Sequence, residues 1–275
     1  MRYLIIPLLL LSACSKDSFK KYVALGELRV LAIVADNAGK AEGNPGDTFN
    51  VTPYVSDLNS TGTITATAVA CVDPGVSYGA TPTCEGNLTA VTLTATNLTA
   101  PTTDFAAAIS VAIPATILSG RSTIDQYNGV NYLVIYTVTN TLGETVKSFK
   151  RIPISSPTKT AKNTNPTFGQ VLANGAALGV LTESSQVDLS FVSGAGSAES
   201  YTYTSSSGVL TPATEALQAT WFYTDGELKY YRTVEGDTTT FTTPSAYPTT
   251  RSSTVVTVVR DGRGGEVVRK TVIHP

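Results

Sequence analysis

Residues 131–139 read Asn-Tyr-Leu-Val-Ile-Tyr-Thr-Val-Thr, and a second β-type run, 145–154, follows after Asn140-Thr141-Leu142-Gly143. β-branched and aromatic side chains dominate the first run, and such side chains pack well on a pleated sheet. Asn and Gly are among the residues that most readily adopt turn conformations. The stretch therefore predicts two antiparallel strands joined by a tight turn, and its first strand is the clearest in the N-terminal half.

A second hairpin is predicted near the C-terminus. Residues 254–260 are a β-branched run, Asp261-Gly262-Arg263-Gly264-Gly265 is a turn signal, and residues 266–273 form the returning strand. Thr137-Val138-Thr139 aligns with Thr257-Val258-Val259, 120 residues later. That spacing is close to the length of one β-sandwich, so an internal duplication of a sandwich unit is the simplest explanation.

The composition favours an all-β protein. Of the 275 residues, 42% are hydrophobic and only 15% are charged, whereas about 25% are charged in an average soluble protein. Thr carries much of the polar surface, and its branched Cβ suits a half-exposed strand. Short β-type runs between Gly, Pro and Asn turns favour sandwiches over helical folds. We therefore expect two tandem Ig-like antiparallel β-sandwiches, residues 27–155 and 166–275, joined by the polar linker 156–165.

The second unit resembles the Ig-like and polycystic-kidney-disease-like modules of bacterial surface proteins. The resemblance rests on Asn165-Pro166 at its start, Trp221 ahead of Asp225-Gly226, and residues 258–264 near its end. It implies that Trp221 is the core tryptophan of the sandwich. The tight Trp-Asp-Phe-Gly-Asp-Gly motif of those modules is replaced by Trp-Phe-Tyr-Thr-Asp-Gly at residues 221–226.

The first fourteen residues have the pattern of a lipoprotein signal peptide. Arg2 gives a positive start, and residues 4–11 form an apolar run too short to span a bilayer as a helix. Leu11-Ser12-Ala13-Cys14 resembles a lipobox, the maturation site of bacterial lipoproteins. The resemblance implies that residues 1–13 are removed and that Cys14 receives a diacylglycerol and usually a further fatty acid such as palmitate. Two or more acyl chains anchor a protein stably in a membrane.

Two further features concern the location of the protein. Ser15 stands where an Asp would indicate retention at the inner membrane, so the resemblance favours the outer membrane. Residues 14–26 lack a clear period of 2 or 3.6 and are expected to form a short tether. An ordinary signal peptide that happens to contain Cys14 is the alternative interpretation.

Cys71 and Cys84 remain once Cys14 is assigned to the lipid. In an oxidising compartment they should form a disulfide, and closing a loop of this size stabilises a fold by roughly 3 kcal/mol in the chain-entropy model. A pair of metal-binding thiolates is the alternative, but it supplies only two of the four ligands of a structural zinc site.

The charge pattern argues against a nucleic-acid partner. Nineteen basic and 21 acidic residues give a formal net charge of −2, and no block of five or six like charges occurs. A protein that binds nucleic acid needs a clustered positive surface to neutralise phosphates. We therefore expect no nucleic-acid partner.

No pattern in the chain predicts catalysis. His274, the single histidine, is next to the C-terminus, where we expect it to be solvated. No zinc-protease, Walker-type or dinucleotide-binding motif occurs. The carboxylate pairs Asp225/Glu227 and Glu235/Asp237 are typical of exposed turns rather than of a glycosidase site. We therefore expect no enzyme activity, no catalytic residue, no metal site and no cofactor.

Calcium is the metal for which the sequence offers the most suitable ligands. Asp- and Asn-rich ends of β-sandwiches bind Ca²⁺ through carboxylate and amide oxygens. Such a site would require Asp225, Asp261 and Asn165 to meet at one pole of the second unit.

Aromatic side chains concentrate in the second unit. Exposed on one face, they could stack on sugars or dock a peptide, whereas alternate members pointing inward would form the sandwich core. Trp221 and Tyr223 are expected in the core, and Tyr230 with Tyr231 is the candidate ligand-binding surface. The full set is Tyr201, Tyr203, Trp221, Tyr223, Tyr230 and Tyr231.

These patterns predict a non-enzymatic, membrane-anchored envelope lipoprotein that acts as a structural or protein-interaction module. Its expected partners are the lipid bilayer, through acylated Cys14, and an envelope protein of unknown identity. A glycan- or receptor-binding adhesion module that uses the second unit is the alternative. Exposure of Tyr230 and Tyr231 would favour the alternative, and their burial would count against it.

Overall fold

The computed structural model describes residues 22–76 and 80–275, and the prediction of an all-β fold of antiparallel sheets is confirmed. One group of strands comes from residues 29–154 and a second group from residues 168–274; they are called the N-terminal and C-terminal sandwiches below. The signal peptide, Cys14 and residues 15–21 of the predicted tether lie outside the described residues. Within the described ranges, no helix is long and apolar enough to cross a membrane.

The N-terminal sandwich is organised around one long strand. Its seven strands are β1 (Arg29–Asp36), β2 (Thr48–Val72), β3 (Val91–Leu93), β4 (Leu98–Phe105), β5 (Ile109–Ala112), β6 (Val130–Thr139) and β7 (Thr145–Ile154). Residues 48–64 of β2 pair with β1, β4 and β5, whereas residues 65–72 pair with β6 and, in part, with β3. Because β2 continues from one layer into the other, both layers cover a single apolar core. A six-residue helix, α1 (Thr123–Asn128), precedes β6.

The predicted disulfide is confirmed. Cys71, near the end of β2, is bonded to Cys84, and the bridge packs on Leu133 and Ile135 of β6. The bond is a local staple that ties the loop after β2 to the edge of its own sheet.

The C-terminal sandwich has two sheets and a separate hairpin. Its strands are β8 (Phe168–Ala173), β9 (Ala176–Ala177), β10 (Gln186–Ser193), β11 (Ser200–Thr204), β12 (Leu210–Thr214), β13 (Gln218–Tyr223), β14 (Glu227–Leu228), β15 (Arg232–Val234), β16 (Thr239–Thr242), β17 (Ser253–Arg260) and β18 (Glu266–His274). One sheet has the order β14-β16-β10-β8-β9, the other has the order β15-β13-β17-β18, and β11 pairs with β12. Trp221 is 0% exposed between the sheets, beside Phe191, which confirms it as the core tryptophan.

Both predicted hairpins are present, as β6–β7 and β17–β18. Their turns have the same hydrogen bonds. Asn140 Oδ1 accepts from the backbone N–H groups of Leu142 and Glu144 (3.1 and 3.0 Å), and Asp261 Oδ1 accepts from those of Arg263 and Gly265 (2.7 and 3.0 Å). Asn140 and Asp261 are 121 residues apart, one more than the spacing in the sequence alignment.

The start of the described chain packs on the C-terminal sandwich. Ala24 forms a parallel bridge with Tyr223, and the Leu25 N–H donates to the Tyr223 carbonyl oxygen at 2.7 Å. Val23 is buried in the core of that sandwich. The last residues of the predicted tether, 22–26, therefore include a packed segment.

The two sandwiches share an interface of their own. Leu31 and Tyr54 pack against Val256 and Val258 in one apolar cluster. The Arg260 guanidinium donates to the Leu31 carbonyl oxygen at 2.9 Å. The predicted linker, 156–165, lies beside this interface, and it contains the buried residues Lys159 and Asn163.

Candidate functional site

A groove of about 910 Å³ lies at one side of the C-terminal sandwich. The chain crosses there from one sheet to the other, because β14 pairs with β16 and β15 pairs with β13. Both predicted ligand-binding tyrosines line the groove. The lining residues are Val23, Gln186, Glu227, Leu228, Lys229, Tyr230, Tyr231, Arg232, Thr240 and Thr242.

Backbone hydrogen bonds fix the crossing segment although it is not a strand. The Lys229 N–H donates to the Thr240 carbonyl oxygen at 2.9 Å, and the Tyr230 N–H donates to Thr239 Oγ1 at 2.9 Å. The Tyr231 carbonyl oxygen accepts from the Trp221 N–H at 2.9 Å. The two tyrosines are thus presented by a backbone that is attached to both sheets.

The two tyrosines have different surroundings. Tyr230 is 56% exposed, whereas Tyr231 is half-buried and packs against the core of the sandwich. Lys229 Nζ lies 5.3 Å from the ring centre of Tyr230, and the Arg232 guanidinium carbon lies 5.4 Å from that of Tyr231. Each ring therefore lies next to a cation, at distances typical of cation–π pairs. An aromatic face beside exposed cations and hydroxyl groups can bind a polar ring or an anionic group.

The other aromatic side chains of the set do not join this groove. Trp221 and Tyr223 are buried in the core, as expected. Tyr201 lies under Arg263, whose guanidinium carbon is 3.9 Å from the ring centre, and Tyr203 is exposed on the same strand, β11. Only Tyr230 and Tyr231 of the set line the groove.

The carboxylates considered for calcium or catalysis are not brought together. Asp225 is held at the start of β17 by Arg251 (2.6 Å) and Ser253 (2.7 Å), whereas Asp261 follows the end of β17. An eight-residue strand separates its ends by about 24 Å. The proposed grouping of Asp225, Asp261 and Asn165 is therefore wrong. Within residues 22–76 and 80–275, no group of three or more His, Cys, Asp or Glu side chains could hold a metal ion.

His274 is not a solvated terminal residue. Strand β18 continues through it, and its ring stacks on Tyr247 with centres 4.3 Å apart and planes 13° apart. Its Nδ1 atom is buried. The expectation of a solvated side chain is wrong because strand pairing with Ser253 extends almost to the C-terminus.

A second polar site, not predicted from the sequence, lies between the sandwiches. Arg263, in the β17–β18 turn, pairs with Glu215 at 2.7 Å, Glu199 at 3.5 Å and Glu42 at 3.6 Å. Lys159 Nζ lies 2.7 Å from Glu42 Oε1. We call this group the inter-sandwich cluster; its members are Glu42, Lys159, Asn163, Glu199, Glu215, Asp261 and Arg263.

Burial changes the acidity of the cluster. It raises the pKa of Asp261 above its ordinary value, because the hydrogen bonds that this carboxylate accepts compensate only part of the lost hydration. It raises the pKa of Glu215 in the same way, although Arg263 pairs with that carboxylate. Burial acts in the same direction on Glu42, but hydrogen bonds, above all from Lys159, outweigh it and hold the pKa of Glu42 below its ordinary value. The pKa values of the cluster's carboxylates are therefore shifted in opposite directions, upward for Asp261 and Glu215 and downward for Glu42.

A second buried ion pair joins the sandwiches beside the cluster. Lys150 Nζ of β7 lies 2.6 Å from Glu266 Oε1 of β18 and donates to the Gly264 carbonyl oxygen at 2.6 Å. Glu266 Oε1 also accepts from the backbone N–H of Ile33 at 3.3 Å. Few buried charges are left unpaired in folded proteins, so a Lys or Glu inside a strand pattern is the signal that could have indicated these contacts.

Comparisons with known proteins give little further information. No family model matches the chain, and no curated protein matches it in sequence. Among solved structures, the chain is similar to the adhesin InvE of Yersinia pseudotuberculosis, with 11% sequence identity and a TM-score of 0.24. The match covers 90% of this chain, which spans 60% of the adhesin chain.

Proposed function

We propose that this chain is a non-enzymatic lipoprotein of the cell envelope, anchored in the outer membrane through acylated Cys14. Its two sandwiches act as one rigid body that binds an envelope protein. The observation that supports this proposal is the packed interface between the two sandwiches.

Two kinds of contact support a rigid body. The apolar cluster of Leu31 and Tyr54 with Val256 and Val258 excludes water from the interface. The ion pairs Lys150–Glu266 and Glu42–Arg263 each join one sandwich to the other. Buried ion pairs contribute little net stability but tolerate few alternative arrangements, because a displaced partner leaves a buried charge unpaired. A rigid body of this kind suits an interaction module, since its binding surface is already organised before it meets a partner.

The experiment is a crosslinking pull-down of the tagged, lipidated protein from intact cells. We expect one envelope protein to be recovered in near-stoichiometric amount. The matched control is the Cys14→Ser variant behind a signal peptide that is cleaved without a lipobox, which should lose the partner or most of it because it is no longer held at the membrane. The proposal fails if the lipidated protein, confirmed by the mass of its N-terminal peptide, recovers no protein above the control.

A second candidate function is glycan or receptor binding through the groove. The exposure of Tyr230, together with the position of Tyr231 in the same groove, favours it. The test is a glycan array with the Cys14→Ser protein. A binding signal that Tyr230→Ala abolishes and Tyr203→Ala leaves unchanged supports this function, because Tyr203 is also exposed but lies outside the groove.

A further inference from the structure

We propose that the groove faces the membrane and that its rim contacts the lipid headgroups directly. The contact surface consists of Tyr22, Lys229, Tyr230 and Arg232, called the headgroup surface below. This inference rests on the lipid anchor proposed at Cys14, and it names the bilayer as the occupant of the groove rim.

The path of the chain places the groove close to the anchor. Val23 lines the groove, and the neighbouring segment is fixed by the bridge between Ala24 and Tyr223. Eight residue steps separate Cys14 from Tyr22. A fully extended chain spans at most about 3.6 Å per residue, so this connection reaches no more than about 29 Å. Tyr22, which directly precedes Val23 of the groove, therefore stays within that distance of the bilayer, whereas the β11–β12 hairpin packs next to Arg263 and none of its residues lines the groove.

The exposed side chains suit a membrane interface. Tyr22 is 69% exposed, its carbonyl oxygen accepts a hydrogen bond from Arg29, and it directly precedes the groove. Tyr22 and Tyr230 each have an apolar ring and a polar hydroxyl, a combination that favours the headgroup region. Exposed aromatic rings of this kind can bind among lipid headgroups without a deep pocket and without a specific ligand.

The charges near the groove are complementary to anionic lipids. Among the lining residues, Lys229 and Arg232 are basic and exposed, and Glu227 is acidic. The segment that leads to the anchor adds three lysines and one acidic residue in the sequence: Lys16, Asp17, Lys20 and Lys21. Basic side chains near a membrane surface each strengthen binding to anionic lipid, and the effect is screened by salt.

The first test is sedimentation of the Cys14→Ser protein, produced without residues 1–13, with vesicles of phosphatidylcholine, with and without phosphatidylglycerol. We expect binding to the anionic vesicles that weakens with salt. Lys229→Gln combined with Arg232→Gln should lower the partition coefficient about 25-fold, from about fivefold per basic side chain. The control pair Arg121→Gln and Lys147→Gln removes the same charge from exposed positions outside the groove and should lower it no more than about twofold.

The second test measures orientation on the lipidated protein in vesicles. A fluorophore at Tyr230→Cys should be quenched by a lipid-borne quencher, and a fluorophore at Val209→Cys should not, because Val209 lies on the β11–β12 hairpin and is 60% exposed. Equal quenching at both positions overturns the inference. Binding of a neutral glycan without any vesicle binding overturns it as well.

The two proposals can fail separately. An unmodified Cys14 in the mature protein removes the anchor, while anionic vesicle binding by Cys14→Ser would still support the headgroup surface. An acylated Cys14 with no vesicle binding and no selective quenching at residue 230 leaves the anchor in place and overturns the headgroup surface.

Discussion

The β6–β7 and β17–β18 turns have the same local hydrogen bonds and different surroundings. In the first, the Asn140 amide donates to two carboxylates, Asp57 at 2.9 Å and Glu144 at 2.8 Å. In the second, the Asp261 carboxylate accepts from the amide of Asn163 at 2.8 Å. Asn and Asp can both accept the hydrogen bonds of this turn through Oδ1. The neighbouring side chains therefore determine which residue is more stable at each position: carboxylates favour a donor at Asn140, and an amide favours an acceptor at Asp261.

The third residue of each turn shows the larger difference. Leu142 is 63% exposed, whereas Arg263 occupies the corresponding position and pairs with Glu199 and Glu215 of its own sandwich and with Glu42 across the interface. The side chain at this turn position is thus exposed to solvent in the N-terminal sandwich, whereas in the C-terminal sandwich it contacts the other sandwich. The predictions below test this difference, from the largest effect to the smallest.

Glu266→Ala should cause the largest loss of stability. The change leaves Lys150 buried without its carboxylate, and removing one partner of a buried ion pair costs about 3–5 kcal/mol. Thr145→Ala is the matched control, because Thr145 takes the corresponding place in β7 and is exposed. Urea unfolding should show a loss within about 0.5 kcal/mol for the control. A loss below 1 kcal/mol for Glu266→Ala would mean that the pair is open in solution.

Arg263→Ala should be the next most damaging change. It removes the charge-assisted hydrogen bond to buried Glu215 and the stacking on Tyr201, which together correspond to about 2–4 kcal/mol. Leu142→Ala, the matched change in the other turn, should alter the free energy of unfolding by less than about 0.5 kcal/mol. Similar losses of unfolding free energy for both variants would show that the contacts of Arg263 stabilise the protein no more than the exposed Leu142 does.

Asn140→Asp should destabilise the N-terminal sandwich by about 1–3 kcal/mol. The new carboxylate would face Asp57 and Glu144, and it would replace a donor by an acceptor. The loss should shrink in acid, where protonation removes the repulsion. Urea titrations at pH 7 and pH 4 measure both effects, and an equal loss at the two pH values would contradict this reason.

Asp261→Asn should have the smallest effect and the opposite sign. Because burial raises the folded-state pKa of Asp261, its ionised form costs stability, and that cost develops as the pH rises from the unfolded-state pKa through the folded-state pKa. The variant should therefore be more stable at neutral pH by about 1 kcal/mol, with the gain disappearing in acid below the unfolded-state pKa.

Asn163 makes this exchange feasible. Its Oδ1 atom is buried and finds no hydrogen-bond partner among the described residues, so a rotated amide could accept from the introduced one. Thermal unfolding of Asp261→Asn at pH 7 and pH 3 provides the measurement, because pH 3 is below the ordinary pKa of an Asp side chain. A variant that is less stable than the wild type at pH 7 would show that the carboxylate is required.

The fold was largely predictable because its signals are local. The strand pattern at residues 131–139, the turn residues around Asn140, and the apolar environment expected for Trp221 all arise from neighbouring residues. The disulfide prediction followed from the oxidising compartment that the lipobox resemblance implies and from the small number of cysteines. The Tyr230–Tyr231 groove was predictable only as a pair of candidates, because exposure depends on how the segment crosses between sheets.

The contacts between the sandwiches were not predictable from such patterns. Glu42 and Arg263 lie far apart in the sequence, and neither breaks the polar pattern of its own turn. The docking of Val23 onto the C-terminal sandwich and the burial of Lys159 in an apparent linker have the same cause. Pairing of distant segments decides these contacts. Lys150 and Glu266 each stand inside a strand pattern, which indicates that each needs a buried partner, but the sequence does not specify which residue that partner is.

The most direct test of the rigid-body account is a spin-label distance measurement across the interface. Labels at Leu142→Cys and Val209→Cys, in the Cys14→Ser background with the Cys71–Cys84 disulfide intact, report on one turn of each sandwich. We predict a single narrow distance distribution that broadens when Glu266→Ala or Arg263→Ala is added. A broad distribution in the protein without those changes would contradict the account, because it would show that the sandwiches move independently.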